Sequence, residues 1–139
     1  MKNLLFLPLI FLLFLSIKNL DLSEPQESEY YFTRREPTLY ERIEGFWGEE
    51  RFAAYRVFNC ESHFGDEDFD PKVISRPNSD GSIDVGLAQI NSVHFPKVPG
   101  QTWDEKIAWL QDPVNNINFA FNQIYTYSGF GAWTCKKVL

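Results

Sequence analysis

The chain has little of what metal, redox and nucleic-acid chemistry require. It holds two cysteines and two histidines. Neither Cys60 nor Cys135 has another His or Cys at ligand spacing, which leaves no zinc or iron–sulfur pattern. His63 and His94 have no partner pattern either and are expected to be structural. A calcium loop through Asn78-Ser79-Asp80-Gly81 would need an acid at Arg76 and a glutamate at Leu87, and has neither. No metal and no cofactor is expected. Positive charge is also short. The net charge is −6, so the electrostatic footprint of a nucleic-acid binder is missing. Such a chain is repelled by an anionic wall or membrane surface, and a partner or tether would have to bring it there. No internal repeat is present.

Apolar runs are scarce, with one exception at the start. Met1-Lys2 precedes an apolar stretch from Leu4 to Ile17, closed by Lys18. A positive start, an apolar core and an early polar flank predict an export signal over residues 1–20. The stretch is shorter than the roughly 18–20 apolar residues that comfortably span a bilayer. No small-x-small site succeeds it, so a cleaved signal peptide and an uncleaved anchor both remain open. Membrane contact is expected only through this segment, with a periplasmic, envelope or extracellular location. Residues 21–48 predict an acidic linker in which Pro25 and Pro37 interrupt helix. Its last part, Leu39 to Trp47, carries enough aromatics to pack on the domain beyond it. In an exported chain, Cys60 and Cys135 predict a disulfide.

Residues 49–139 predict one domain. Ala53, Val57, Cys60 and Phe64 form a helical stripe, with Ala54, Phe58 and Glu61 beside it. Glu61 therefore falls near a helix end, at the margin of the buried face. Lys72–Ser75 and Ser82–Val85 read as extended arms around Asp80-Gly81, a hairpin signal. Thr102-Trp103-Asp104-Glu105 fits a capping box for a helix through Leu110. Asp112-Pro113 supplies an N-cap and first-turn proline for a longer helix with the stripe Val114, Ile117, Phe121 and Ile124, ended by Gly129. The fold class is α+β, mainly helical, with one small hairpin after the first helix.

Singly, these polar residues are weak evidence, but their order is specific. Cys60-Glu61-Ser62-x-Phe64 is followed by Asp70-Pro71-Lys72. Then come Gly81-Ser82-Ile83-Asp84-Val85-Gly86-Leu87-Ala88-Gln89-Ile90-Asn91-Ser92 and Asp112-Pro113-x-x-Asn116-Ile117. The set resembles the lysozyme superfamily, and most closely the soluble-lytic-transglycosylase-like domains over about residues 50–135. It is similar to the small transglycosylases that accompany secretion and conjugation machines, and an envelope or secretion-machine partner is the corresponding expectation. Asp84 stands where animal-type lysozymes place a second carboxylate. The resemblance implies a lysozyme-like fold, peptidoglycan glycan strands as substrate, and Glu61 as catalytic acid.

The residues by themselves are consistent with that. A proton donor to a glycosidic oxygen must stay protonated near neutral pH, and a carboxyl group at an apolar margin has its pKa raised. Phe58 and Phe64 flank Glu61 in sequence, and a Cys60–Cys135 bond would bring Trp133 against it. Lysozyme sets its glutamate against a tryptophan in the same way, a parallel that rests on the resemblance. The acidic run Asp66, Glu67, Asp68 and Asp70 would add like charge if it lies close. Asp84 serves either of two chemistries. In a retaining hydrolase it is the second carboxylate. In a lytic transglycosylase, as the resemblance implies, Glu61 suffices and the product is a 1,6-anhydro sugar. A glycan-binding module that keeps the fold without turnover is the third reading. Gln89 and Asn91 are candidates for sugar hydrogen bonds or for capping, and Trp133, Tyr125 and Tyr127 for stacking. Where many relatives carry a Tyr-Asn-Ala-Gly stretch, this chain reads Gly131-Ala132-Trp133-Thr134-Cys135, without the tyrosine.

Overall fold

Caps written into the sequence start most of the helices. A computed structural model describes residues 35–139. The expected export segment 1–20, and the linker as far as residue 34, lie outside the described residues. Thr38 accepts the Glu41 N–H and Glu41 accepts the Thr38 N–H, opening α1 (Leu39–Trp47). This helix buries Ile43 and Trp47. The compact unit Arg35–Leu139 includes this helix. Its aromatics pull it in: Trp47 meets Phe58 edge-on at 5.3 Å and Phe121 at 5.1 Å.

A 3-10 turn, Gly48–Glu50, leads into α2 (Arg51–Ser62). Ala54, Val57 and Phe58 are fully buried along it, on the stripe that the spacing predicts. The helix stops at His63, whose φ of 60° is left-handed and whose N–H closes on Asn59 O at 2.7 Å. Glu61 therefore ends up in the last turn, beside the loop.

The hairpin forms, in reduced shape. Ile74 bridges Val85, and Ser75 N–H donates to Asp84 O at 2.9 Å. Pro71 and Pro77 bound that first arm, and neither has an N–H to extend a ladder. The regular pairing is on the other edge, where β1 (Asp84–Val85) runs antiparallel to β2 (Ile90–Asn91), with Asp84 opposite Asn91. Asn91 then caps a 3-10 helix, Ser92–Lys97, through the Val93 N–H.

Thr102 and Glu105 form the expected capping box of α3 (Trp103–Leu110). Asp112 accepts the Val114 and Asn115 N–H groups at the start of α4 (Pro113–Phe119). The sequence spacing predicts one long helix from here to Gly129. Instead α4 passes into a π turn, Ala120–Tyr125, and then into α5 (Thr126–Ser128). The wider turn moves the buried side, so Phe119 and Ala120 are buried while Val114 and Phe121 stay partly open. Two 3-10 turns, Gly129–Ala132 and Thr134–Val138, complete the chain. The Cys60–Cys135 disulfide fastens the last of them to α2. The result is the mainly helical α+β arrangement, with a two-stranded antiparallel sheet.

Candidate active site

A groove of about 480 Å³ opens where the end of α2, the hairpin and the C-terminal turns converge. Glu61, Asp84, Gln89, Asn91 and Trp133 all line it, so five candidates scattered over the sequence meet in one cleft. The turn Gly86–Gln89 makes this possible, because three side chains from different elements hold it. Ser62, next to Glu61, donates to Leu87 O at 2.6 Å. Trp133 donates its indole N–H to Ala88 O at 2.7 Å. Asn116, fully buried, accepts Ala88 N–H at 2.8 Å and donates to Val85 O and Leu110 O at 2.9 and 2.8 Å. Gly86 is required there. Its φ is +75°, and a Cβ would overlap Asn116 Nδ2 and sit 2.5 Å from Leu110 O.

Glu61 is half-buried, and its Oε1 accepts the Cys135 N–H at 2.8 Å. Burial pushes its carboxyl above the ordinary glutamate value; the Cys135 amide opposes this and the Asp84 charge adds to it. The Thr134 backbone N–H and the Lys137 charge also oppose the rise. Trp133 lines the groove with Glu61, and its ring meets that of Phe58 edge-on at 6.0 Å. Phe64 is not among the lining residues. That ring turns into a cluster with Tyr40 and Phe69.

Asp84 lies in a polar setting. Its Oδ1 accepts from Asn91 Nδ2 at 2.8 Å and its Oδ2 from Asn78 Nδ2 at 3.1 Å. Ser75 Oγ accepts its backbone N–H at 2.8 Å. Two carboxyl groups thus face one groove, one against apolar surface and one amid donors, the environment contrast that separates acid from carboxylate in glycosidases.

The remaining candidates divide. Gln89 lines the groove from a left-handed backbone (φ 48°), with its amide N–H on Gly86 O at 2.8 Å. Among the described residues no hydrogen bond to its carbonyl oxygen occurs. Asn91 spends its amide on Asp84 and Ser82 and its oxygen on Val93 N–H, so it caps and orients. Trp133 is 5 % exposed and offers an edge rather than an open face. Tyr125 and Tyr127 are not brought to the groove. Tyr125 stacks on Phe121 and gives its hydroxyl to Glu50, while Tyr127 stands outside, 77 % exposed. The acidic run also stays out. Asp66 is drawn back onto α2 by Asn59 and His63, and none of the four acids lines the groove.

Sequence reasoning missed Asn78, Val93 and His94 in the groove lining. Asn78 reads as turn chemistry, and only its place across the hairpin from Asp84 reveals it. His94, read as structural, lines the groove beside Val93. These two come from the 3-10 helix that Asn91 starts, which has no clear sequence period. Among the described residues no cluster of metal-ligating side chains occurs.

No curated protein and no solved structure matches the chain. The family model described as the transglycosylase SLT domain matches residues 46–135, from α1 to the disulfide, and the chain belongs to that family.

Proposed function

We propose that the protein is a lytic transglycosylase that cuts the MurNAc-β-1,4-GlcNAc bond of peptidoglycan with Glu61 as acid and then base. At family level, the SLT domain implies lytic transglycosylase activity on peptidoglycan. The observation that carries the residue-level reading is Glu61 itself. It is a half-buried carboxyl held by the Cys135 amide at the floor of the groove, with its pKa raised by burial. Glu61 delivers its proton to the leaving GlcNAc oxygen as the bond to the muramyl C1 breaks. The muramyl N-acetyl oxygen bonds to C1 and takes up the positive charge. Glu61, now a carboxylate, takes the C6 hydroxyl proton as that oxygen attacks C1 and displaces the N-acetyl oxygen. The ring closes to the 1,6-anhydro product, Glu61 is protonated again, and no water is consumed. Asp84, fixed by Asn78 and Asn91, places negative charge near the developing cation. The N-terminal segment 1–20 would export the chain to the envelope where this substrate lies.

One observation favours a second reading. Asp84 is held by two amide donors in the same groove, as suits the second carboxylate of a retaining hydrolase. In that case Asp84→Asn abolishes activity, whereas in a transglycosylase it only lowers it.

The test is digestion of purified sacculi by the parent and by Glu61→Gln, with measurement of soluble muropeptides. Release by the parent, lost by a factor of about 10² or more in the variant, is the expected result. No release by the parent would return the protein to the class of glycan-binding modules.

A further inference from the structure

The groove lining is mixed in chemistry. The hairpin contributes Asn78, Ser79, Asp80 and Asp84, while the 3-10 helix Ser92–Lys97 and the π turn Ala120–Tyr125 contribute Val93, His94 and Ile124. The chain through each of these last two elements continues past the groove lining to an exposed side chain. In a 3-10 helix, side chains three apart eclipse, so Lys97 stands in line with His94 within Ser92–Lys97. Tyr127 lies one turn beyond Ile124, where the π turn passes into α5. The two meet: Lys97 Nζ lies 5.7 Å from the centre of the Tyr127 ring.

This rim has the properties of a binding surface left open. Tyr127 is 77 % exposed. Among the described residues no carboxylate pairs with Lys97, although acids outnumber bases in the chain by 19 to 13. Its charge nevertheless reaches the groove. The His94 ring is held below the ordinary histidine value by burial first and by Lys97 second. An unpaired cation resting on an aromatic face suits a ligand that brings a carboxylate together with small apolar groups.

The sugar rings of a glycan strand are neutral and would leave this cation without a partner. The short peptide on each muramyl residue is not neutral, because it ends in free carboxylates and contains alanine methyl groups. We propose that the rim formed by Lys97 and Tyr127 is a subsite for this acidic stem peptide, with Lys97 pairing a peptide carboxylate and Tyr127 covering the methyl groups. The inference rests on a glycan strand lying in the groove, and it adds a preference between substrates. Strands with free-acid stems are taken over strands whose stem carboxylates are amidated.

The test uses the full chain and three ligands: GlcNAc-MurNAc bearing a tripeptide with free carboxylates, the same compound amidated, and GlcNAc-MurNAc with only its lactyl carboxylate. Affinities are measured by calorimetry for the parent, Lys97→Gln and Lys97→Arg. The parent should bind the free-acid stem about threefold more tightly than the amidated one, the size of a partly exposed ion pair. That ratio should shrink as salt rises, fall to about one in Lys97→Gln, and persist in Lys97→Arg. A ratio of one in the parent, or an unchanged ratio in Lys97→Gln, would overturn the subsite. So would a peptide-free disaccharide that binds as tightly as the free-acid stem. Turnover of sacculi by the same preparations is read separately. Its absence would sink the cleavage reading, while the affinity ratio still decides the subsite.

Discussion

Glu61 is placed where its charged form is disfavoured, and that has a consequence for stability as well as for catalysis. Its folded pKa lies above the unfolded value because of burial. Its contribution to stability is therefore fully present below the unfolded glutamate value and is lost as pH rises through the folded one. Glu61→Gln keeps an oxygen for the Cys135 N–H and removes the buried charge. The variant should be more stable than the parent at neutral pH, with the difference vanishing in acid, as urea unfolding at several pH values would show. A parent more stable than the variant at neutral pH would mean that Glu61 is not disfavoured as a carboxylate. Gln89 gives a second test at this scale. Its φ of 48° suits glycine, so Gln89→Gly should stay within about 1 kcal/mol of the parent in stability. Turnover should fall if the amide oxygen serves the substrate, and equal turnover would reduce Gln89 to a turn residue. Glu61 was legible in the sequence because a helix stripe and the adjacent Ser62 fix its face. Asn78 was not, since an Asn before Asp-Gly has an ordinary turn explanation.

Elements are tied together through the turn Gly86–Gln89, and Asn116 is its deepest anchor. Three buried partners depend on that one amide: Ala88 N–H, Val85 O and Leu110 O. Asn116→Ala leaves them unsatisfied and should cost about 2–4 kcal/mol, judged from the desolvation of buried polar groups. Chemical denaturation would measure this, and a cost under about 1 kcal/mol would show that the turn holds without it. The caps at Thr38, Thr102 and Asp112 bear on the same scale, because hydroxyl or carboxylate followed by acid or proline is a local code. Of these, the Thr102 and Asp112 starts could be read directly from the sequence. The π turn at Ala120–Tyr125 could not. It buries Ala120 and Ile124 next to Phe119, a buried face that no local period records. The reduced hairpin is an intermediate case, with Asp80-Gly81 marking the turn and the pairing with Ile90–Asn91 decided by tertiary context.

For the molecule as a whole, the disulfide and the candidate site are one construction. Cys135 is bonded to Cys60, and its backbone N–H holds Glu61, so covalent closure and the placement of the proposed acid share a residue. The bond spans 75 positions in sequence, and closing a loop of that size contributes about 4 kcal/mol in the chain-entropy picture. Cys60→Ser with Cys135→Ser should lose roughly that much. It should also lose activity at temperatures where circular dichroism still reports a folded chain, since the C-terminal turn is then free to leave Glu61. Full activity in the folded double variant would separate the two roles. The aromatic cluster through Trp47, Phe58 and Trp133 joins α1, α2 and the C-terminal turn, which explains why α1 packs on the rest of the domain. The aromatics of Leu39 to Trp47 made this packing legible, although the acids around them give the whole stretch the composition of a linker.

The central claim is that Glu61 closes the muramyl ring on itself without water. Digestion of sacculi in water enriched in heavy oxygen, with product masses read directly, tests this more closely than any variant. The predicted product is a muropeptide lighter by one water than a hydrolysed one and free of heavy oxygen. A reducing-end product carrying one heavy oxygen would contradict the claim and assign Asp84 and water to the second step.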